Sequence, residues 1–312
     1  MSRKTLVLGV DGGGTKTVGL VADQDGTIIS RREVRGTNPN VVGFETAAKT
    51  LFQLIHSSCE EVRCEPGEFK SVLFGLAGVG RASDRARIRD DVNALLEKEG
   101  EKALPITVET DARVALEGAF DGGPGVVIIA GTGSIIIGKT SRGDVLGVGG
   151  WGRTLGDEGS GFFIGREALI AVTLHYDKRG DSGRLREIFA RQFKWESRDQ
   201  IIAAIYQEKF DIASLAPVVI ESAANNDIVS QRILQKAATL LVEQARVIVM
   251  QMGIVRKVGL VLSGGLVDHE TVYRNVLHMK ILRLLPQVDV RAALHPPANG
   301  AVLMALDRLK KS

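Results

Sequence analysis

Cysteine, proline and aromatic residues are scarce in this chain of 312 residues. Its 2 cysteines, Cys59 and Cys64, exclude a disulfide scaffold and a four-cysteine metal site within one chain. The 8 prolines and the lack of low-complexity tracts argue against a disordered or collagen-like chain. The length instead suits about two globular domains, each large enough to bury its own core.

The chain also lacks a charge of one sign and long apolar runs. Lys and Arg total 40 against 37 for Asp and Glu, with no long run of like charges, so the sequence predicts no nucleic-acid partner. The longest apolar stretches, such as 126–130, are about five residues long, whereas roughly 20 are needed to span a bilayer. Asp11 ends the first apolar stretch before a signal-peptide core could form. We therefore expect a cytoplasmic protein without a membrane partner.

Glycine, by contrast, is abundant at 36 residues, and the predicted elements repeat. Three strands from Lys4 to Val34, with the hairpin signal Asp25-Gly26 before the third, begin the order βββαβαβα. The order returns after residues 122–124, with helices inserted at about 150–257, a segment too long for a loop. The sequence predicts α/β domains at 1–121 and 122–312 that face each other across a cleft. Later helices are predicted at 198–210, 213–225 and 268–278.

The first glycine cluster, Asp11-Gly12-Gly13-Gly14-Thr15-Lys16-Thr17, connects two predicted strands. Consecutive glycines expose successive amides, which a hairpin needs to wrap phosphate oxygens, and the Asp11 carboxylate can hold Mg²⁺ through water. A tight hairpin without a ligand is the alternative. The cluster is not a Walker loop, because Lys16 follows Thr15 rather than glycine and no helix follows.

Two further glycine clusters follow apolar strands. Gly131-Thr132-Gly133-Ser134 forms a predicted second hairpin whose hydroxyls are expected to meet phosphates. Gly264-Gly265 is expected to open a helix and lie against a nucleoside ring. A plain turn is the alternative for the first cluster, and a strand-to-helix turn is the alternative for the second. The match of 147–152 to G-x-G-x-x-G lacks the helix that a dinucleotide site requires.

Polar candidates lie near these clusters. Asp111, where a strand meets a helix, suits a base for a hydroxyl that attacks phosphorus, with a helix N-cap as the alternative. Asn38 is a further polar candidate, with a turn residue as the alternative. Trp151, close to carboxylates, is typical of a residue that flanks a sugar ring, with a core tryptophan as the alternative. Ser160 is predicted to cap the next helix, and the histidines form no zinc pattern.

Together these residues resemble the superfamily of sugar kinases, heat-shock chaperones and actin. Within it they resemble the BadF/BadG/BcrA/BcrD ATPase-type family, which includes N-acetylglucosamine kinases. The resemblance runs along nearly the whole chain and is most specific in GGWG at 149–152 and GDEGS at 156–160. It implies two duplicated ribonuclease H-like domains that use ATP and Mg²⁺. The implied reaction transfers the γ-phosphoryl group to the 6-hydroxyl of an amino sugar. N-acetylglucosamine, glucosamine and N-acetylmuramic acid all stay open, and so does a homodimer.

The resemblance also implies roles for individual residues. Asp111 would be the base and Asp11 the metal ligand. The implied ATP-binding residues are Gly12, Gly13, Gly14, Thr15, Lys16, Gly131, Thr132, Gly133, Ser134, Gly264 and Gly265. The implied sugar-binding residues are Asn38, Asp111, Gly150, Trp151, Gly152 and Asp157. Ile135 departs from the asparagine of the animal N-acetylglucosamine kinases, which leaves the exact amino sugar open.

The alternative function is an ATPase that activates an acyl-CoA dehydratase or reductase by passing it electrons from an iron–sulfur cluster. Such a protein needs cluster cysteines at the cleft between sheet and helix, and Cys59 and Cys64 fall on another segment. A sugar sensor would carry an added DNA-binding segment, and the zinc-binding glucokinases of the related repressor family need a cysteine cluster. The sequence argues against both.

Overall fold

The computed structural model describes residues 5–253 and 257–311. Lys4, where the first strand was expected to begin, lies outside these residues. By internal packing the chain divides into a first unit, Met1–Gly123 with Ala292–Ser312, and a second unit, Pro124–Arg291. The C-terminal segment therefore packs in the first unit, whereas the sequence placed it in the second domain.

Strands and helices alternate in both units, as expected for α/β proteins. The first unit contains β1 Leu6–Gly12, β2 Lys16–Asp23, β3 Ile28–Arg35, α1 Pro39–Val42, α2 Phe44–Val62, β4 Phe69–Leu76, α3 Ala82–Lys98, β5 Ile106–Thr110 and α4 Asp111–Ala119. The second contains β6 Gly125–Ala130, β7 Ser134–Lys139, β8 Val145–Gly149, α5 Gly161–Tyr176, α6 Leu185–Phe193, α7 Arg198–Ile202, α8 Ala216–Ala224, α9 Ile228–Gln251, β9 Val258–Ser263, α10 Val272–Leu284 and β10 Val288–Val290. The closing helix, α11 Pro297–Lys311, returns to the first unit.

The first sheet has the order β3-β2-β1-β4-β5. The predicted turn at Asp25-Gly26 is confirmed: the Asp23 carboxylate accepts from the amides of Asp25 and Thr27, and Gly26 has a φ of 84°. β4 and β5 run parallel to β1. Their register aligns Gly12, Leu76 and Thr110 in one row, so the carboxyl ends of three strands meet at one edge of the sheet.

α11 packs on the first sheet and on α4 at positions without side chains. A Cβ at Gly9 of β1 would meet the backbone of α11 at Val302, and a Cβ at Gly300 would meet the backbone of α4. A Cβ at Gly118 would lie 2.6 Å from the Pro296 carbonyl oxygen. Close approach of backbone to backbone therefore fixes α11 in the first unit.

The second sheet has the order β10-β9-β6-β7-β8. β7 pairs antiparallel with β6, β8 pairs antiparallel with β7, and on the other side of β6 the strands β9 and β10 continue the sheet in parallel. Helices α5 to α9 lie between β8 and β9 in the chain, and their apolar faces share a core with β6. None of the helices within the described ranges is long and apolar enough to cross a membrane.

Three helix predictions in the second unit are wrong in their bounds. The expected helix 198–210 is α7 followed by a π-helical turn at Ala203–Gln207. The expected helix 213–225 is a 3₁₀ turn at Ile212–Leu215 followed by α8, which starts late because a proline in its first turn cannot lie in a helix interior. α10 begins at Val272 rather than Asp268, because the Thr271 side chain caps it by accepting from the Arg274 amide.

Candidate active site

The first glycine hairpin joins β1 to β2 and rests on the segment after β3. The Gly13 amide donates to the Lys16 carbonyl, and the Gly13 carbonyl accepts from the amides of Thr37 and Asn38 at 3.0 and 3.1 Å. A Cβ at Gly12 would collide with Thr37 and Leu76, so Gly12 is needed for packing. The tip, Gly14 to Lys16, is exposed. The structure therefore leaves the tip, and not Gly12, open to a ligand.

Asp11 lies at the carboxyl end of β1, opposite Gly75 of β4. Burial, reinforced by the negative charge of Asp111 and partly offset by Lys16, raises the pKa of Asp11 to about 6. Two strand spacings separate β1 from β5, so the Cα atoms of the two aspartates are on the order of 10 Å apart. A cation between them would relieve their repulsion, which suits a magnesium ligand.

Asp111 is the first residue of α4 and not its N-cap. Thr110 is the cap: its backbone is extended, and its Oγ1 accepts from the Arg113 amide at 3.2 Å. The alternative interpretation of Asp111 as the helix cap is therefore wrong. Its Oδ1 accepts from the Ala112 amide at 2.9 Å, and burial raises the pKa of Asp111 despite this bond. A carboxylate that holds a proton more readily than in water suits a base.

Asn38 is the N-cap of α1, where its Oδ1 accepts from the Asn40 amide at 2.9 Å. A Cβ at Gly78 would overlap Asn38 Oδ1, so this half-buried side chain lies against the turn after β4. Sequence reasoning assigned no role to Gly78 or Thr37. A signal for Gly78 was available, because Gly75-Leu-Ala-Gly78 resembles Ser263-Gly-Gly-Leu266 in the second half of the sequence; no signal marked Thr37.

The second glycine hairpin, between β6 and β7, rests on the start of α5. The carbonyls of Gly131 and Thr132 accept from the amides of Gly161 and Phe162 at 2.8 and 3.2 Å. Thr132 is exposed, but Ser134 is buried and its hydroxyl donates to the Glu158 carbonyl at 2.8 Å. The expectation that both hydroxyls would meet phosphates is thus wrong for Ser134, because its hydroxyl is bonded within the loop.

Gly264 and Gly265 form a turn and do not open a helix, contrary to expectation. Gly264 has a φ of 108°, its amide donates to Asp268 Oδ1 at 2.9 Å, and a Cβ there would meet the backbone of Ala130. Ala130 ends β6 just before the second hairpin, and its carbonyl accepts from the Leu266 amide. A Cβ at Gly265 would meet nothing, so a flat group has room at this position.

The GGWG motif lies in a loop with left-handed glycines at 149, 150 and 152. The Trp151 side chain is 75% exposed, so the alternative of a core tryptophan is wrong. The next helix, α5, begins only at Gly161, which confirms that the G-x-G-x-x-G match lacks its helix. Ser160 caps α5 by accepting from the Phe163 amide at 3.1 Å, as predicted.

The GDEGS motif holds the second hairpin against the helices of the second unit. Asp157 is buried with a φ of 59°, and its Oδ1 accepts from the Ser134 amide. Burial raises its pKa, and the Ser134 bond opposes that rise. Glu158 Oε2 accepts from Gln244 Nε2 at 3.0 Å, and Tyr273 donates to the Gly159 carbonyl at 2.6 Å. Neither long-range contact was readable from the sequence.

The structure thus groups the predicted residues into two sets. In the first unit Asp11, Asp111 and the first hairpin lie at one sheet edge, with Asn38 bonded to the hairpin. In the second unit the second hairpin contacts Asp157, and Gly264 packs on the strand that precedes it. Cys59 and Cys64 lie in the first unit at the C-terminal end of α2, and burial raises the pKa of both thiols.

The chain is similar to known proteins along almost its full length. The model of the BadF/BadG/BcrA/BcrD ATPase family matches residues 8–305. An N-acetylmuramic acid/N-acetylglucosamine kinase of Clostridium acetobutylicum is 32% identical over 96% of this chain and 97% of its own. An N-acetyl-D-glucosamine kinase of Dictyostelium discoideum is 30% identical over 98% of this chain and 99% of its own. A solved structure from Chromobacterium violaceum, assigned provisionally as an N-acetylglucosamine kinase, has a TM-score of 0.74 at 25% identity, over 97% of this chain and 99% of its own.

Proposed function

Because the chain belongs to the BadF/BadG/BcrA/BcrD ATPase family, we propose that it is an ATP-dependent kinase that phosphorylates the 6-hydroxyl of an amino sugar. The two curated relatives above, both amino-sugar kinases, support this class of substrate. The single observation that carries the chemistry is the pair of aspartates, Asp11 and Asp111, at the carboxyl edge of the first sheet. Phosphoryl transfer to an alcohol needs both a metal ligand and a base at such an edge.

The two units are, in this proposal, duplicated ribonuclease H-like domains. Support comes from the strand orders: each sheet consists of an antiparallel meander of three strands followed by two parallel strands. In the second unit the helices α5 to α9 would be the insertion between the third and fourth strands. Duplication also accounts for a glycine hairpin between the first two strands of each sheet.

The two hairpins would bind the phosphates of ATP. Gly14 in the first and Gly133 in the second carry no side chain that would keep phosphate oxygens from their backbone amides, whereas the amides of Gly13 and Gly131 are bonded within the hairpins. Asp11 would hold Mg²⁺, which neutralises phosphate charge when bound. The open surface at Gly265 would lie against the adenosine.

Asp111 would act on the sugar hydroxyl. As the 6-oxygen forms its bond to the γ-phosphorus, the bond from that phosphorus to the bridging oxygen of ADP breaks, and the hydroxyl proton passes to the Asp111 carboxylate. Asn38, Trp151 and the backbone of Gly150 and Gly152 would orient the sugar. Asp157 would contribute its second carboxylate oxygen, since Oδ1 is bonded to the Ser134 amide.

The position of the cysteines favours this function over the activator ATPase. The carboxyl end of β3 lies at the same edge of the sheet as that of β1, and α2 follows β3, so α2 begins near this edge. α2 ends shortly before β4 begins at the opposite edge. Cys59 and Cys64, at the end of α2, therefore lie across the sheet from Asp11. An electron-transferring cluster held by them would be remote from the proposed nucleotide site.

We expect Asp111→Asn to fold normally and to lower kcat by about 100-fold or more, because a general base contributes about 10²- to 10⁴-fold. The measurement is coupled ADP release over a panel of N-acetylglucosamine, glucosamine, N-acetylmuramic acid and glucose. Glu109→Gln, at a nearby carboxylate in β5, is the matched control and should change kcat little. Near-normal turnover of the Asp111 variant would contradict its role as base.

A further inference from the structure

Arg153 lies in the loop between GGWG and GDEGS and has no ion-pair partner in the part of the chain that the structure describes. Its side chain is exposed, and among residues 5–253 and 257–311 no carboxylate lies within ion-pair distance of it. Two carboxylates follow within five residues, but Asp157 accepts from the Ser134 amide and Glu158 from the Gln244 side chain. Both acids of the loop are therefore bonded to other groups, and neither forms an ion pair with the Arg153 guanidinium.

The guanidinium nevertheless has a defined place. The Arg153 Cζ atom lies 5.9 Å from the ring centroid of Phe162, a cation–π distance. Phe162 is in the first turn of α5, and its amide donates to the Thr132 carbonyl of the second hairpin. The Gly161, Phe162 and Phe163 amides of this helix already donate to the carbonyls of the second hairpin and to Ser160 Oγ. An anion placed here would therefore meet the Arg153 guanidinium rather than the helix end.

Resting on the proposed function, we propose that Arg153 binds the carboxylate of an acidic amino sugar and extends the substrate range to N-acetylmuramic acid. Arg153 directly follows Gly152, one of the glycines that would orient the sugar. N-acetylmuramic acid differs from N-acetylglucosamine by a lactyl ether at O3, which carries one carboxylate and one methyl group. The guanidinium suits the carboxylate, and the exposed side chains of Trp151 and Leu155, 75% and 77% accessible, suit the methyl.

The test compares Arg153→Gln, Arg153→Lys and the control Arg142→Gln with the unchanged chain. Arg142 is an exposed arginine of the same unit in the turn between β7 and β8, at the opposite end of that hairpin from Gly149. We expect Arg153→Gln to raise KM for N-acetylmuramic acid about 10- to 100-fold relative to that for N-acetylglucosamine, as for loss of a charged hydrogen bond. Arg153→Lys should recover part of the lost preference, and the control Arg142→Gln should leave the ratio of the two KM values unchanged.

Binding without turnover gives a second readout. Titration calorimetry of each sugar without ATP should show that Arg153→Gln selectively lowers the affinity for N-acetylmuramic acid. Raised salt should weaken the binding of N-acetylmuramic acid more than the binding of N-acetylglucosamine. If the unchanged chain phosphorylates N-acetylglucosamine but does not bind N-acetylmuramic acid, the inference fails and the proposed function stands. A raised KM for ATP with both sugars would assign Arg153 to the nucleotide and overturn the inference. Lack of activity and binding with every amino sugar would overturn both.

Discussion

At the scale of single residues, Asp11 is ionised at a cost to the stability of its own unit. Its folded pKa of about 6 lies above the ordinary 3.8, so the folded state binds a proton more tightly than the unfolded chain. The stability that comes from the protonated form is complete below pH 3.8 and is lost as pH rises through about 6. At neutral pH without a metal ion, the ionised carboxylate therefore destabilises the fold.

We expect Asp11→Asn to stabilise the metal-free protein above pH 6 and to weaken its response to Mg²⁺. The rise in pKa corresponds to about 3 kcal/mol at most, at 1.36 kcal/mol per pKa unit. Urea unfolding at pH 4.5 and 7.5, without Mg²⁺, should show a larger gain at pH 7.5. Asp25→Asn, at an exposed turn, is the control. An equal gain at both values of pH would show that the charge of Asp11 is not the cause.

At the scale of elements, the first hairpin separates glycines needed for folding from those free for a ligand. A Cβ at Gly36 would meet the backbone of Gly13 and Gly14, whereas a Cβ at Gly14 would meet only a Val41 methyl at 4.0 Å. The Gly36 amide also donates to the Thr15 carbonyl. The segment after β3 thus supports the hairpin, while the tip stays open.

We expect Gly36→Ala to lower stability by about 1–3 kcal/mol, as overpacking does. Gly14→Ala should change stability by less than about 0.5 kcal/mol, as surface substitutions do. It should nevertheless raise KM for ATP, because its methyl would stand among the proposed phosphate contacts. Unfolding curves and ATP titrations of the two variants check this pair. A stable Gly36 variant, or a Gly14 variant with unchanged KM for ATP, would contradict the division.

Local patterns predicted most elements but not the bonds between distant segments. α4 has the expected bounds because the strand-to-helix change at Thr110 is marked by local sequence alone. Burial of the Ser134 hydroxyl could not be predicted, because its partner, Glu158, is 24 residues away in an irregular loop. The turn at Gly264, fixed by the Asp268 side chain, was missed for a similar reason: a capping aspartate and a turn-holding aspartate look alike in sequence.

At the scale of the whole molecule, the prediction from chain order assigned the closing helix α11 to the second domain, whereas it packs in the first unit. Its predicted type was confirmed, and its amphipathic pattern gives no sign of which sheet it covers. What decides is the small residues it meets, Gly9 in β1 and Gly118 in α4, which only a folded first unit brings together. A domain boundary drawn at one sequence position therefore cannot describe a chain that returns to its first unit.

The chain passes between the units at Gly123–Pro124 and again at Arg291–Ala292. In the proposed function each unit contributes residues to catalysis or binding, with the base Asp111 in the first and Trp151 in the second.

An enzyme that assembles its catalytic groups only with sugar bound protects ATP from attack by water. We expect ATP hydrolysis without sugar to be roughly a hundredfold slower than phosphorylation of the preferred amino sugar. ADP release with and without each sugar measures this, with Asp111→Asn as the blank. Fast hydrolysis that no amino sugar alters would favour the activator ATPase.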